Sequence, residues 1–110
     1  MSDTYTATDP WPTITALTAW LDQTNGRSPA ETALRILKIT EEVGEVGNAY
    51  IGMTGQNPRK GITHTTTDVA DELTDVIVAA MVALATITAD PAGHFERKLQ
   101  QIADLRLDNA

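Results

Sequence analysis

The stretch VIVAAMVALATI, Val76 to Ile87, is apolar on nearly every side of a helix. A helix of that kind needs neighbours all round, and a lone chain of 110 residues supplies them poorly. It points to a helical bundle completed by further copies of the chain. With two Trp, two Tyr and one Phe in the sequence, the core has to be built from Ala, Val, Leu and Ile.

Turn signals divide the rest. MSDTYTATDPWP, residues 1–12, is polar with two prolines and reads as a flexible N-terminal arm preceding a single helical domain over 13–110. Thr13 to about Leu21 places Ile14, Leu17 and Leu21 on one side of a short helix, and DQTNGRS breaks it at Asn-Gly. Ser28, with Pro29 next and Glu31 three residues on, is a helix-start signature, so a second helix is expected from Pro29 to near Ile51. Gly52 to His64 carries three glycines and a proline and reads as a loop. Thr66 or Thr67 can cap a third helix running to about Ala89, where Ala-Asp-Pro ends it, and a fourth is expected from about Ala92 to Leu107. No strand-like alternation stands out. The expected fold is all-α, about four helices, with two long helices of roughly 33 Å as its frame.

Fifteen acids against eight bases give a net charge of −7, which repels phosphate backbones, and no basic stripe with interleaved aromatics is present. Binding of a nucleic-acid polymer is not expected. A small phosphorylated ligand is a different case, because a divalent cation can bridge carboxylates to phosphate oxygens. The absence of cysteine removes disulfides and cysteine-based zinc sites. No apolar run approaches 18 residues and the acidic start lacks a signal peptide's basic region, so no membrane association and a cytoplasmic location are expected.

The acids are not scattered. At about 100° per residue, Glu31, Arg35, Lys38, Glu42 and Glu45 fall on one stripe of the second helix, which Ala49 continues. On the third helix the matching stripe is Asp68, Glu72, Asp75, Ala79 and Val82, acidic at first and apolar after Asp75. A solvent-facing stripe would not ordinarily change in that way, so this one is expected to enter the bundle. EEVGE and DELTD each present an i, i+3 acidic pair, Glu42 with Glu45 and Glu72 with Asp75. If the two helices pack antiparallel in suitable register, the pairs meet. Such a cluster opposes its own ionisation through desolvation and repulsion, and a hard divalent cation resolves the conflict. Residue spacing alone leaves two readings open, ordinary solvated helix charges or a metal site.

Glu41-Glu42-x-x-Glu45, a 26-residue gap and Glu72-x-x-Asp75 resemble the signature of the MazG-like, all-α nucleoside triphosphate pyrophosphohydrolases. LKITEEVGEVGNAY and DELTDVIVAAMVALA are similar to that family's two acidic helices, and the resemblance covers about Leu34 to Leu99. It implies hydrolysis of a nucleoside triphosphate, often a deoxynucleotide, to the monophosphate and pyrophosphate. It also implies Mg²⁺, with Mn²⁺ as a substitute, held by Glu42, Glu45, Glu72 and Asp75, and a homodimer or homotetramer. Glu41 would orient or deprotonate the attacking water. Lys38 and Lys98 would bind phosphate, and Arg59 and Lys60 would close over it from the loop. The sequence departs from the family at Ile102, where an asparagine is often found.

Each of these has a plainer reading. Lys38 can pair with Glu42 within its own helix, the loop bases can be merely solvated, and Trp11, Trp20 and Tyr50 can serve packing rather than base stacking. A di-iron carboxylate bundle is disfavoured because neither His64 nor His94 follows a Glu by three. The rival of a different class is a non-catalytic, oligomeric interaction module that keeps the fold.

Overall fold

The computed structural model describes residues 9–107. Four helices make up the fold: α1 (Trp11–Asn25), α2 (Pro29–Thr54), α3 (Thr66–Ile87) and α4 (Pro91–Leu107). No strand occurs among the described residues. Residues 1–8 of the expected arm lie outside them, and Trp11 and Pro12 belong to α1 rather than to the arm.

Local chemistry sets the boundaries. The Ser28 hydroxyl accepts from the Glu31 amide at 3.1 Å and Pro29 follows, as the sequence signature requires. α1 is longer than expected at both ends, because Pro12 is tolerated in a first turn and Gln23 and Thr24 carry no breaking signal. It stops at Gly26, whose φ of 80° a residue with a side chain rarely adopts. α2 likewise runs through Gly52 and ends at Gly55 in the left-handed region, φ 67°.

The cap of α3 is Thr65, not Thr66 or Thr67. Its hydroxyl accepts from the Asp68 amide at 3.1 Å while the Asp68 carboxylate accepts from the Thr65 amide at 2.8 Å. The bond from the Thr65 amide, and next the Thr65 side chain beside it, hold the Asp68 carboxyl below its ordinary pKa. Thr65→Ala removes one half of this reciprocal pair. It is expected to cost about 1 kcal/mol, seen as a fall of roughly 4–8 °C in melting temperature.

α2 and α3 form the main layer. Arg35, early in α2, bonds Thr86, late in α3, while Thr66 at the start of α3 touches Met53 near the end of α2. α1 packs chiefly on α3, and α4 makes only slight contact with α3. Trp11 and Phe95 meet with ring centroids 6.2 Å apart, so Trp11 is a packing residue that ties α1 to α4. The buried apolar core is small: Ile14, Ala49, Val82 and Ala83. Buried Thr18 and Thr86 satisfy their hydroxyls on carbonyls four residues back in their own helices.

The acidic stripes lead inward: Ala49 and Val82, which continue them, are buried and Glu42 and Glu72 half-buried, while Glu45 and Asp75 stay exposed. The neighbouring stripes do not. Ile36, Val43 and Tyr50 on α2 and Leu73 and Ile77 on α3 are all exposed, as are Phe95, Leu99, Ile102 and Leu105 on α4. No single helix among the described residues is long and apolar enough to cross a membrane.

Candidate metal centre and groove

Midway along the α2–α3 layer, Glu42, Glu72 and Asp75 bring one carboxylate oxygen each within 4.8 Å of one another. The spacing that produces this is local: Glu72 and Asp75 lie one turn apart on α3 and Glu42 faces them from α2. Three ionised carboxylates so close repel. The consequence falls on Glu72, whose pKa is raised by desolvation, by a side-chain hydrogen bond with Asp75 and by the charges of Glu45, Asp75 and Glu42. Glu45 stands outside the converging three, yet close enough for its charge to act on Glu72. The donor set, all carboxylate oxygens from two rigid helices, suits a hard divalent cation and is wrong for a soft one.

A groove of about 670 Å³ opens beside this cluster, bounded by α1, α2 and α3. Glu42 and Asp75 line its acidic end. Trp20, Leu34 and Val82 line its apolar middle, and Asn25, Glu31 and Arg35 its other polar end. α1 supplies a whole wall of it through Leu17, Trp20 and Leu21, and its continuation past Leu21 adds Asn25.

The bases fall differently from the acids. The Lys38 ammonium lies on the groove wall, 2.8 Å from Glu41 and 3.4 Å from Glu42. Its pKa is raised, first by the hydrogen bond to Glu41. The intrahelical pair allowed by the i, i+4 spacing is therefore present. Glu41 is 63% exposed and tied to Lys38, and it neither lines the groove nor joins the three converging carboxylates. Arg59 and Lys60 lie in the loop between α2 and α3 and Lys98 lies on α4; none of the three lines the groove.

Arg35 is the residue whose role the sequence did not disclose. Its side chain is 4% exposed, and it donates through Nε to Glu31 at 2.8 Å and through Nη1 to Asp22 at 2.8 Å and Thr86 Oγ1 at 3.1 Å. Nη2 donates to the Gly26 carbonyl at 3.0 Å. One guanidinium thus joins α1, the α1–α2 turn, α2 and α3. The Glu31–Arg35 spacing was the available signal, but it is equally the mark of an exposed ion pair.

The chain matches no protein-family model, no curated protein and no solved structure. What it does rests on the site.

Proposed function

We propose that the protein is a divalent-cation-dependent nucleoside triphosphate pyrophosphohydrolase acting in the groove between α1, α2 and α3. The observation that carries this reading is the convergence of Glu42, Glu72 and Asp75 at the mouth of a groove large enough for a nucleotide. The antiparallel pairing of α2 and α3, supported by the Arg35–Thr86 and Met53–Thr66 contacts, aligns the acidic edges.

Glu42, Glu72 and Asp75 would hold Mg²⁺ or Mn²⁺, with Glu45 as a fourth carboxylate beside them. The ion supplies charge neutralisation for the triphosphate and a more acidic water. The reaction adds water across the α–β anhydride bond: an O–P bond forms at the α-phosphorus, the bond to the bridging oxygen breaks, and pyrophosphate leaves. Lys38 would exchange its carboxylate partners for a phosphate oxygen. Glu41, released by that exchange, would have to turn in from the surface to accept the water's proton or orient it. Arg59, Lys60 and Lys98 remain phosphate-binding candidates only if a partner chain or loop closure brings them to the groove.

A homo-oligomer is part of the same reading. The exposed stripe Ile36–Val43–Tyr50 follows a seven-residue spacing, and Leu73 and Ile77 lie on the corresponding side of α3. A second copy laid on that face would bury both stripes, and would leave the groove open on the opposite side of the layer.

The test is purified protein with Mg²⁺ and each common nucleoside and deoxynucleoside triphosphate, monitoring pyrophosphate. At least one nucleotide is expected to be hydrolysed, with a loss of at least about 100-fold in Asp75→Asn. Silence with every nucleotide, together with no Mg²⁺ binding by calorimetry, would favour the non-catalytic module.

A further inference from the structure

At the end of the groove away from the carboxylate cluster, polar groups face the cavity with their hydrogen-bonding only partly used. Glu31 Oε2 accepts from Arg35 Nε at 2.8 Å and from Asn25 Nδ2 at 3.3 Å. Among the described residues no group donates to Glu31 Oε1 or to Asn25 Oδ1. The orientation of the Asn25 amide is fixed by chemistry, since an ionised carboxylate only accepts and the NH₂ has to face it. Glu31 is kept ionised by the Arg35 guanidinium, and its side chain is only 13% exposed. The structure therefore holds an anionic oxygen on a 13%-exposed side chain, with an amide oxygen beside it, in the lining of a nucleotide-sized groove.

Distance and lining say what would meet them. Glu31 and Glu42 are eleven residues apart on one helix, about 16 Å along its axis, a span that a nucleotide anchored by its phosphates at Glu42 can bridge with its base. Trp20 lies between, 60% exposed, offering an indole face on which a base can stack. A carboxylate oxygen is a good partner for an exocyclic amine and a poor one for a ring carbonyl. Cytosine, adenine and guanine present that amine. Uracil and thymine present two carbonyl oxygens flanking a single N–H.

We propose that Trp20, Asn25 and Glu31 form a base subsite that selects amino-bearing nucleobases over uracil and thymine. This rests on the reading of the acidic end as a triphosphate site, but its recognition chemistry is testable without phosphate, metal or turnover. Deoxycytidine and deoxyuridine differ at one ring position, amine against carbonyl. In a Trp11→Phe background, quenching of Trp20 fluorescence by each free nucleoside reads the subsite directly. Deoxycytidine is expected to bind about tenfold more tightly, equivalent to about 1.4 kcal/mol.

Glu31→Gln keeps an oxygen for Arg35 but presents an amide that can also donate, and is expected to bring the ratio close to one. Asn25→Leu leaves the Arg35–Glu31 bond in place and should weaken both nucleosides while keeping part of the preference, which guards against misreading a folding defect in Glu31→Gln. Equal binding of the two nucleosides, or an unchanged ratio in Glu31→Gln, overturns the proposal. The parallel arm is the ratio of kcat/KM for dCTP over dUTP. Hydrolysis of both at equal efficiency removes the base subsite and leaves the hydrolase. Selective nucleoside binding with no pyrophosphate release from any nucleotide keeps the subsite and removes the hydrolase.

Discussion

Arg35→Met is expected to lower the stability of the fold by about 3 kcal/mol, the lower end of the cost of breaking a buried ion pair. Its guanidinium is 4% exposed and serves two carboxylates, a hydroxyl and a backbone carbonyl at once. Without it, Asp22 keeps only Arg27 at 3.3 Å and Glu31 only Asn25 at 3.3 Å in a part-buried corner, and α1 loses its shorter polar tie to α2. The lower end applies because Asp22 keeps 26% of its side-chain surface in water. For a domain of this size the melting temperature should fall by roughly 12–24 °C, read by circular dichroism.

Lysine is not a rescue, since one ammonium cannot span four partners fixed in a planar fork. The pH dependence has a definite sign. The hydrogen bond from Arg35 is the largest cause of the lowered pKa of Glu31. The stability it contributes is therefore present above the ordinary carboxylate range and is lost as pH falls through the folded pKa. The gap between wild type and Arg35→Met should accordingly narrow on acidification. A variant melting within about 3 °C of wild type would mean that the network does not hold the corner together.

Divalent cation is expected to stabilise the protein, and Glu72→Gln to abolish most of that response. Glu72 is the group whose pKa the cluster raises, with desolvation the largest cause. A carboxyl with a raised folded pKa contributes stability below its unfolded pKa and loses it as pH rises through the folded one. In chelator, then, the wild type should lose stability as the pH rises toward neutrality by the amount Glu72 contributes, and Glu72→Gln should lack that component. Saturating Mg²⁺ reverses the loss by binding only the folded, ionised cluster, worth about 2.7 kcal/mol at one hundred times Kd, or more than about 10 °C. Melts of the wild type that superimpose in Mg²⁺ and in chelator from pH 5 to 8 would show that these carboxylates hold no cation.

Much of the scaffold was legible before any coordinates. Ser28-Pro29 and the acid-to-apolar change from Asp75 to Val82 are local signals, set by capping chemistry and by 100° per residue, and no tertiary contact overrides them. The errors were at ends where competing signals lie one or two residues apart. Three threonines in a row could cap α3, and only the Asp68 carboxylate reaching back selected Thr65. Gln23 and Thr24, polar but without a breaking signal, lengthened α1 by a turn and added Asn25 to the groove wall that Leu17, Trp20 and Leu21 form.

By itself the sequence determined that the fold is helical, that its acids lie on two helix edges, and that those edges lead toward the interior. The tertiary structure decided that Glu42 joins Glu72 and Asp75 while Glu45 stands off, that Lys38 is held by its own helix, and that Arg35 is the keystone of the α1–α2 corner. The physical reason is that periodicity fixes the angle and height of a side chain on its own helix. The axial offset between two helices depends on side-chain packing and ion pairs contributed by residues far apart in the chain, and a shift of one turn, about 5.4 Å, changes which carboxylates meet.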